Sequence, residues 1–164
     1  MTAVTGRELA GSSVAFLPRR EAAPSPVPHI ADGVDPRAIE EAFRVLLTLC
    51  KSKLHRATVT EAALDYEGSI SIDGELMQAA EILPFERVQV VDVANGARLE
   101  TYAMEEAPGS GIVRMNGAAA RLVQVGDPVI IISYALLTPQ EAREHHPIIV
   151  VLGPDNKIKE QRRD

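Results

Sequence analysis

At 164 residues the chain is about one ordinary domain long, and 46% of it is hydrophobic, enough for a real core. Trp is absent and aromatics make up only 4%, so that core has to be aliphatic. A net charge of -6 and a pI near 5.3 speak against nucleic-acid binding, which needs a basic face. No apolar run reaches the roughly 18 residues that would span a membrane. The head, Met1 to Val14, lacks the charged start and apolar middle of a secretory signal. The single Cys50 excludes an internal disulfide and suits a reducing compartment, so the expectation is a cytoplasmic protein.

The chain changes character near residue 44. Residues 1–43 carry Pro18, Pro24, Pro26, Pro28 and Pro36 among small residues, and no apolar period holds up to Pro36. A disordered or loosely attached extension is expected there, with a short optional helix after Asp35-Pro36. The next segment, 44–158, is β-rich. Strands are expected at Val45–Leu49, Ala57–Thr60, Ser69–Asp73, Val88–Val93, Arg98–Met104, Ile112–Met115, Val129–Leu137 and Ile148–Leu152. Asp73-Gly74, Asn95-Gly96, Asn116-Gly117 and Gly126-Asp127-Pro128 supply turns between them. Short helices fit Glu75–Glu81 and Pro139–Glu144, and residues 159–164 read as a flexible tail. So many short strands imply a closed barrel or sandwich, because a small flat sheet leaves sticky edges.

Four clusters could carry chemistry. Gly68-Ser69 opens a strand and is most simply a turn. Yet Gly68 can adopt backbone angles closed to other residues, and the Ser69 hydroxyl can reach the Gly68 carbonyl carbon. A five-membered ring would form there and open to an ester, given a polarised carbonyl and a weak base. In Ser52-Lys53-Leu54-His55-Arg56, strand alternation puts Lys53 and His55 on one face, although a solvated basic segment reads equally well. After the Asn95-Gly96 turn, Arg98, Glu100 and Tyr102 share a face, or else simply decorate a hairpin arm. Asn116-Gly117-Ala118-Ala119-Ala120 marks a tight turn or a close approach of ligand to backbone N–H groups. No metal pattern is visible, since His145 and His146 are adjacent and point apart on a strand, and there is no phosphate loop or nucleophile elbow.

Taken in order, these pieces resemble the aspartate 1-decarboxylase family. The matching text runs from Lys53-Leu54-His55-Arg56 through Tyr66-Glu67-Gly68-Ser69, then Asn95-Gly96 with Arg98, Thr101 and Tyr102. It continues through Asn116 to Ala120 and Gly126-Asp127 to Ile131, and the likeness extends over about residues 45 to 158. The 43-residue head is a departure, since family members usually begin a few residues before the Lys53 segment.

The resemblance implies a double-psi β-barrel, assembled as a homotetramer with sites shared between subunits. It implies self-cleavage between Gly68 and Ser69 into chains 1–68 and 69–164, with Ser69 converted into a covalent pyruvoyl group. No metal and no pyridoxal phosphate are implied, and a separate maturation factor is a possible partner. Thr101 would orient the carbonyl for the acyl shift. The pyruvoyl ketone would condense with L-aspartate as a Schiff base and accept the electrons released when carbon dioxide leaves. The product, β-alanine, would feed pantothenate and coenzyme A synthesis. Tyr102 would be the proton donor. Arg98, Lys53, Thr101, Asn116, Gly117, Ala118 and Ala119 would bind substrate, with Tyr66 and His55 in support. The alternatives are a catalytically silent barrel acting as a binding module, and a hydrolase using Ser69 as an ordinary nucleophile.

Overall fold

A computed structural model describes residues 45–67 and 69–164. The expected extension and its optional helix at Pro36 lie outside the described residues. Nine strands form one sheet in the order β2-β6-β3-β5-β4-β7-β1-β8-β9. They are β1 (Leu47–Thr58), β2 (Glu61–Ala63), β3 (Ile70–Asp73), β4 (Arg87–Asp92), β5 (Arg98–Glu106), β6 (Val113–Asn116), β7 (Pro128–Leu137), β8 (Ile148–Leu152) and β9 (Ile158–Arg163). The helices α1 (Gly74–Ala79) and α2 (Pro139–Glu144) are short. This is the mainly β class that strand density led one to expect.

Three sequence expectations need correcting. The strands expected at Val45–Leu49 and Ala57–Thr60 are not separate: the run Ser52 to Arg56, readable as an alternating strand or as a solvated basic segment, lies inside the 12-residue β1. Ser52 and Leu54 are buried on one side while Lys53 and His55 are half-buried on the other. The strand is paired on both edges, antiparallel to β7 and parallel to β8, so its charged residues ride on a central strand. It bends at two bulges, and Arg56, with φ 63°, occupies the second. The tail expected at 159–164 is instead strand β9, antiparallel to β8. Its residues are exposed throughout, so no apolar alternation marks it; backbone pairing holds it, with Gln161 donating to the Ala79 carbonyl at 3.0 Å and Arg163 paired with Glu81 at 2.6 Å. Third, β2 was not anticipated; it runs parallel to β6 for three residues.

The core is aliphatic. Leu54 from β1, Ile70 and Ile72 from β3, Val88 and Val90 from β4, Val113 and Met115 from β6, and Ile131 from β7 are all sealed from solvent. Burying side chains of this size supplies about 1.5–3 kcal/mol each, the main force closing the sheet. Helix α1 starts where Asp73 turns inward. Its carboxylate accepts from the N–H groups of Glu75 (2.8 Å), Gly109 (2.9 Å) and Gly111 (2.6 Å), capping the helix and tying down the loop after β5. Gly74 is required beside it, because a Cβ would come within 2.9 Å of the Glu105 carboxylate and 3.1 Å of the Glu106 carbonyl oxygen. The helix ends at Ala79, short of the expected Glu81, which adopts φ 51° and turns the chain away. Helix α2 keeps its expected bounds, fixed by a capping box between Thr138 and Glu141. No helix among the described residues is long and apolar enough to cross a membrane.

Candidate active site

Strand β3 lies between β5, to which it is parallel, and β6, to which it is antiparallel. Ile70 is paired with Ala103 on one side and Met115 on the other. One residue earlier, Ser69 therefore falls level with Tyr102 and Asn116. It is 5% exposed, its Oγ donates to the Tyr102 carbonyl oxygen at 2.5 Å, and its own carbonyl accepts the Asn116 N–H at 2.9 Å. Register alone thus assembles three of the expected residues. Gly68 is outside the described residues.

Asn116 is 1% exposed and its Nδ2 donates to Ser71 Oγ at 3.2 Å. Its Oδ1 is buried without a hydrogen-bond partner among the described residues. After Asn116 the backbone turns tightly through a 3-10 segment, Gly117–Leu122, entered by Gly117 at φ 56°. The small residues there leave room. A cavity of about 370 Å³ opens at this point, lined by Ser69, Leu99, Glu100, Thr101, Tyr102, Asn116, Ala118, Ala119 and Leu122. Sequence reasoning placed Glu100 on the face of Arg98 and Tyr102 but missed Leu99 and Leu122; the alternation of β5, which puts Leu99 on the face of Thr101, could have supplied the first.

On β5 the outward residues Arg98, Glu100 and Tyr102 are exposed while Thr101 and Leu99 are half-buried, as period 2 required. The Tyr102 ring, 42% exposed, lies 6.2 Å from that of Phe85 at a tilt of 38°. Phe85 is itself in the left-handed region, φ 66°, held by its N–H to the Ala103 carbonyl at 2.7 Å. Glu100 is paired with Arg87.

The expected cations are not in this cavity. Arg98 is exposed at the start of β5 and reaches back to the Gly96 carbonyl at 3.4 Å. Lys53 and His55 sit on β1, three strand steps from β5 across β4 and β7. Burial, reinforced by Lys53, Arg56 and Arg162, pushes the His55 imidazole below its ordinary 6.5, so it is neutral near pH 7. Its Nδ1 is buried and has no partner among the described residues. Tyr66 is half-exposed beneath the Arg114 guanidinium, 4.9 Å from its ring centre. Among the described residues no group of His, Cys, Asp and Glu could hold a metal ion. His145 and His146 are not on a strand but follow α2, bonded separately to the carbonyl oxygens of Cys50 and Asp164.

Comparison with known proteins places the chain in a family. The sequence pattern of the aspartate decarboxylase family matches residues 45–159. The chain belongs to the aspartate decarboxylase family. Relatives named aspartate 1-decarboxylase include one from Pelotomaculum thermopropionicum, 59% identical over 118 residues, covering 72% of this chain and 89% of its own. Another, from Clostridium beijerinckii, is 57% identical over 116 residues, covering 71% of this chain and 94% of its own. Among solved structures, the rationally designed mkDPBB_sym1 protein is 27% identical with a TM-score of 0.37, covering 53% of this chain and 99% of that one. As a member of this family the chain is an enzyme, and the family match spans β1 to β8 and the first residues of β9.

Proposed function

We propose that the chain cuts itself between Gly68 and Ser69 and that the matured enzyme decarboxylates L-aspartate to β-alanine and carbon dioxide. One observation carries this reading. Ser69 lies at the wall of the cavity with its hydroxyl on the Tyr102 carbonyl, next to Thr101 and the unpartnered Asn116 Oδ1. A serine serving only to start a strand needs no cavity. One that is to be converted into a cofactor needs both a cavity and polar groups left open around it.

In the cleavage, the Ser69 Oγ–H gives up its present acceptor and Oγ bonds to the Gly68 carbonyl carbon. The Gly68–Ser69 C–N bond breaks and the hydroxyl proton passes to the Ser69 nitrogen. Loss of the Ser69 α-hydrogen then expels the Gly68 carboxylate from Cβ. Water converts the resulting dehydroalanine into an α-keto acyl group with release of ammonia. The site fits such a group: the backbone N–H of Asn116 already holds the carbonyl of residue 69, and the Asn116 amide stands beside it.

The pyruvoyl group supplies the electron sink for decarboxylation. The chain's own residues do the rest. Thr101 and Asn116 orient the acyl carbonyl, and Tyr102 holds a proton at its hydroxyl for delivery to the substrate carbon. The turn at Gly117, Ala118 and Ala119 offers backbone donors. Arg98 binds one substrate carboxylate in a bidentate fork and Lys53 pairs with charge as a single ammonium. Neither lines the cavity, and this favours a homotetramer in which a neighbouring copy supplies them. Exposed Leu47 on β1 and Tyr134 and Leu136 on β7 are apolar surface suited to such contacts. The product would supply pantothenate synthesis.

Intact-mass analysis of the purified chain tests this. Two fragments are expected, 1–68 and 69–164, the second blocked at its N-terminus and lighter than its sequence mass. A single full-length mass after long incubation would overturn the proposal.

A further inference from the structure

We propose that Arg114 is a positioning residue for the self-cleavage, acting through Tyr66; the inference rests on the self-processing reading above. The connection from β2 to β3 crosses the end of β6, because β6 lies between those two strands. It has to cover two strand spacings, about 10 Å. Residues 64–69 could reach roughly 20 Å if extended, so the connection is slack. Its downstream end is fixed: Ser69 is buried and held at both its hydroxyl and its carbonyl. Its upstream end is another matter. Ala63 is the last paired residue, opposite Asn116, and residues 64–67 are all exposed. Attack of Ser69 Oγ on the Gly68 carbonyl carbon needs both sides of that bond held.

Arg114 is placed to hold the upstream side. It stands on β6 directly between Glu61 of β2 and Ser71 of β3, and its guanidinium lies over the Tyr66 ring with 4.9 Å to the centroid. The fork is itself anchored at 3.2 Å to Glu61 and also to Glu106 on β5, and the side chain is only 18% exposed. An arginine tethered at two carboxylates presents a fixed flat cation, and an aromatic ring set on it loses much of its freedom. Tyr66 is two residues upstream of the scissile bond, so fixing its ring limits where the Gly68 carbonyl can go.

The test follows cleavage of freshly synthesised chain by intact mass, in wild type, Arg114→Gln, Arg114→Lys, Tyr66→Leu and the Arg114→Gln/Tyr66→Leu double variant. Arg114→Gln is expected to slow cleavage roughly tenfold, about 1.4 kcal/mol on the barrier. Arg114→Lys, which keeps a cation over the ring, recovers most of that rate. The double variant is no slower than Tyr66→Leu alone, which a purely structural role would not produce. Once cut, Arg114→Gln turns over at the wild-type rate per pyruvoyl group. If Arg114→Gln does not fold, Glu61→Gln, which frees one tether of the guanidinium, is expected to slow cleavage in its place and carries the same cycle with Tyr66→Leu. Cleavage of Arg114→Gln at the wild-type rate, or slowing that multiplies in the double variant, overturns this inference alone. An uncut wild-type chain removes the self-processing reading and this inference with it.

Discussion

Strands β1 and β7 run for 12 and 10 residues, pair antiparallel over most of that length, and contribute Leu54, Val129 and Ile131 to the sealed interior. The corner made by β2, β3 and β6 is built differently. Its strands have three or four residues, and beside apolar Ile70 and Met115 it buries Ser69, Ser71 and Asn116. The interior of the first region is mainly apolar, with Ser52 Oγ and His55 Nδ1 unpartnered among the described residues, and its long paired strands are a frame. In the second, much of the interior is polar, and Asn116 Oδ1 and Arg114 Nε have no partner among the described residues, which costs stability. The contrast teaches that frame and site are separable here: damage to one should show as lost stability, damage to the other as lost chemistry.

The largest expected effect is in the corner. Ser69→Ala should give a folded, uncut chain of near-wild-type melting temperature with no decarboxylation; any β-alanine formed by it would contradict the mechanism. In the frame, Ile131→Ala should cost about 2–5 kcal/mol in denaturant unfolding. Well below its melting temperature it should still cut at the wild-type rate, and a parallel fall in cleavage would show that the two regions are coupled. Arg98→Ala tests the outer face of β5. It should cleave normally but lose roughly ten- to a hundredfold in kcat/KM, since a charge-assisted bond contributes about 1.5–3 kcal/mol. Unchanged aspartate kinetics would remove Arg98 from the site.

The smallest effect concerns what pins the 81–86 loop to the frame. Glu86 bonds to Lys51 on β1 at 2.6 Å, to Ser133 on β7 and to the Leu83 N–H at 2.9 Å. Burial pushes its carboxyl up, but these bonds outweigh burial and hold it below the ordinary 4.5. A depressed carboxyl stabilises the fold above pH 4.5, and that contribution is lost as pH falls through its lowered value. Glu86→Gln should therefore flatten the acid limb of the stability curve, read as unfolding midpoint against pH between about 5 and 2. An unchanged limb would mean that the loop is held by other means.

The sequence reveals most of the frame. Alternation and turn residues locate β3 to β8 to within a residue or so, because one face of each is dry. It misreads β1 because the partners that shelter Lys51, namely Glu86 and the Glu81 carbonyl, are 30 or more residues away. It misses β9 because a strand exposed along its whole length has no apolar period. At the site, the family motifs pick out Ser69, Thr101, Tyr102 and Asn116, which β-sheet register does bring together. Arg114 was invisible as a contributor because its meaning lies in Tyr66, Glu61 and Glu106, three residues from different elements. Period 2 does put it on the same face as Asn116, and that was the available signal.

Lys53 lies four strand steps from β3, at whose start Ser69 stands. If one copy's Lys53 serves another copy's Ser69, the unit of heredity and the unit of function differ. A Lys53→Ala chain and a Ser69→Ala chain, each inert by itself, would complement when co-assembled, because some mixed sites receive an intact half from each parent. The same arrangement makes a defective chain costly in a cell that also makes a sound one, since every assembly that it joins loses sites.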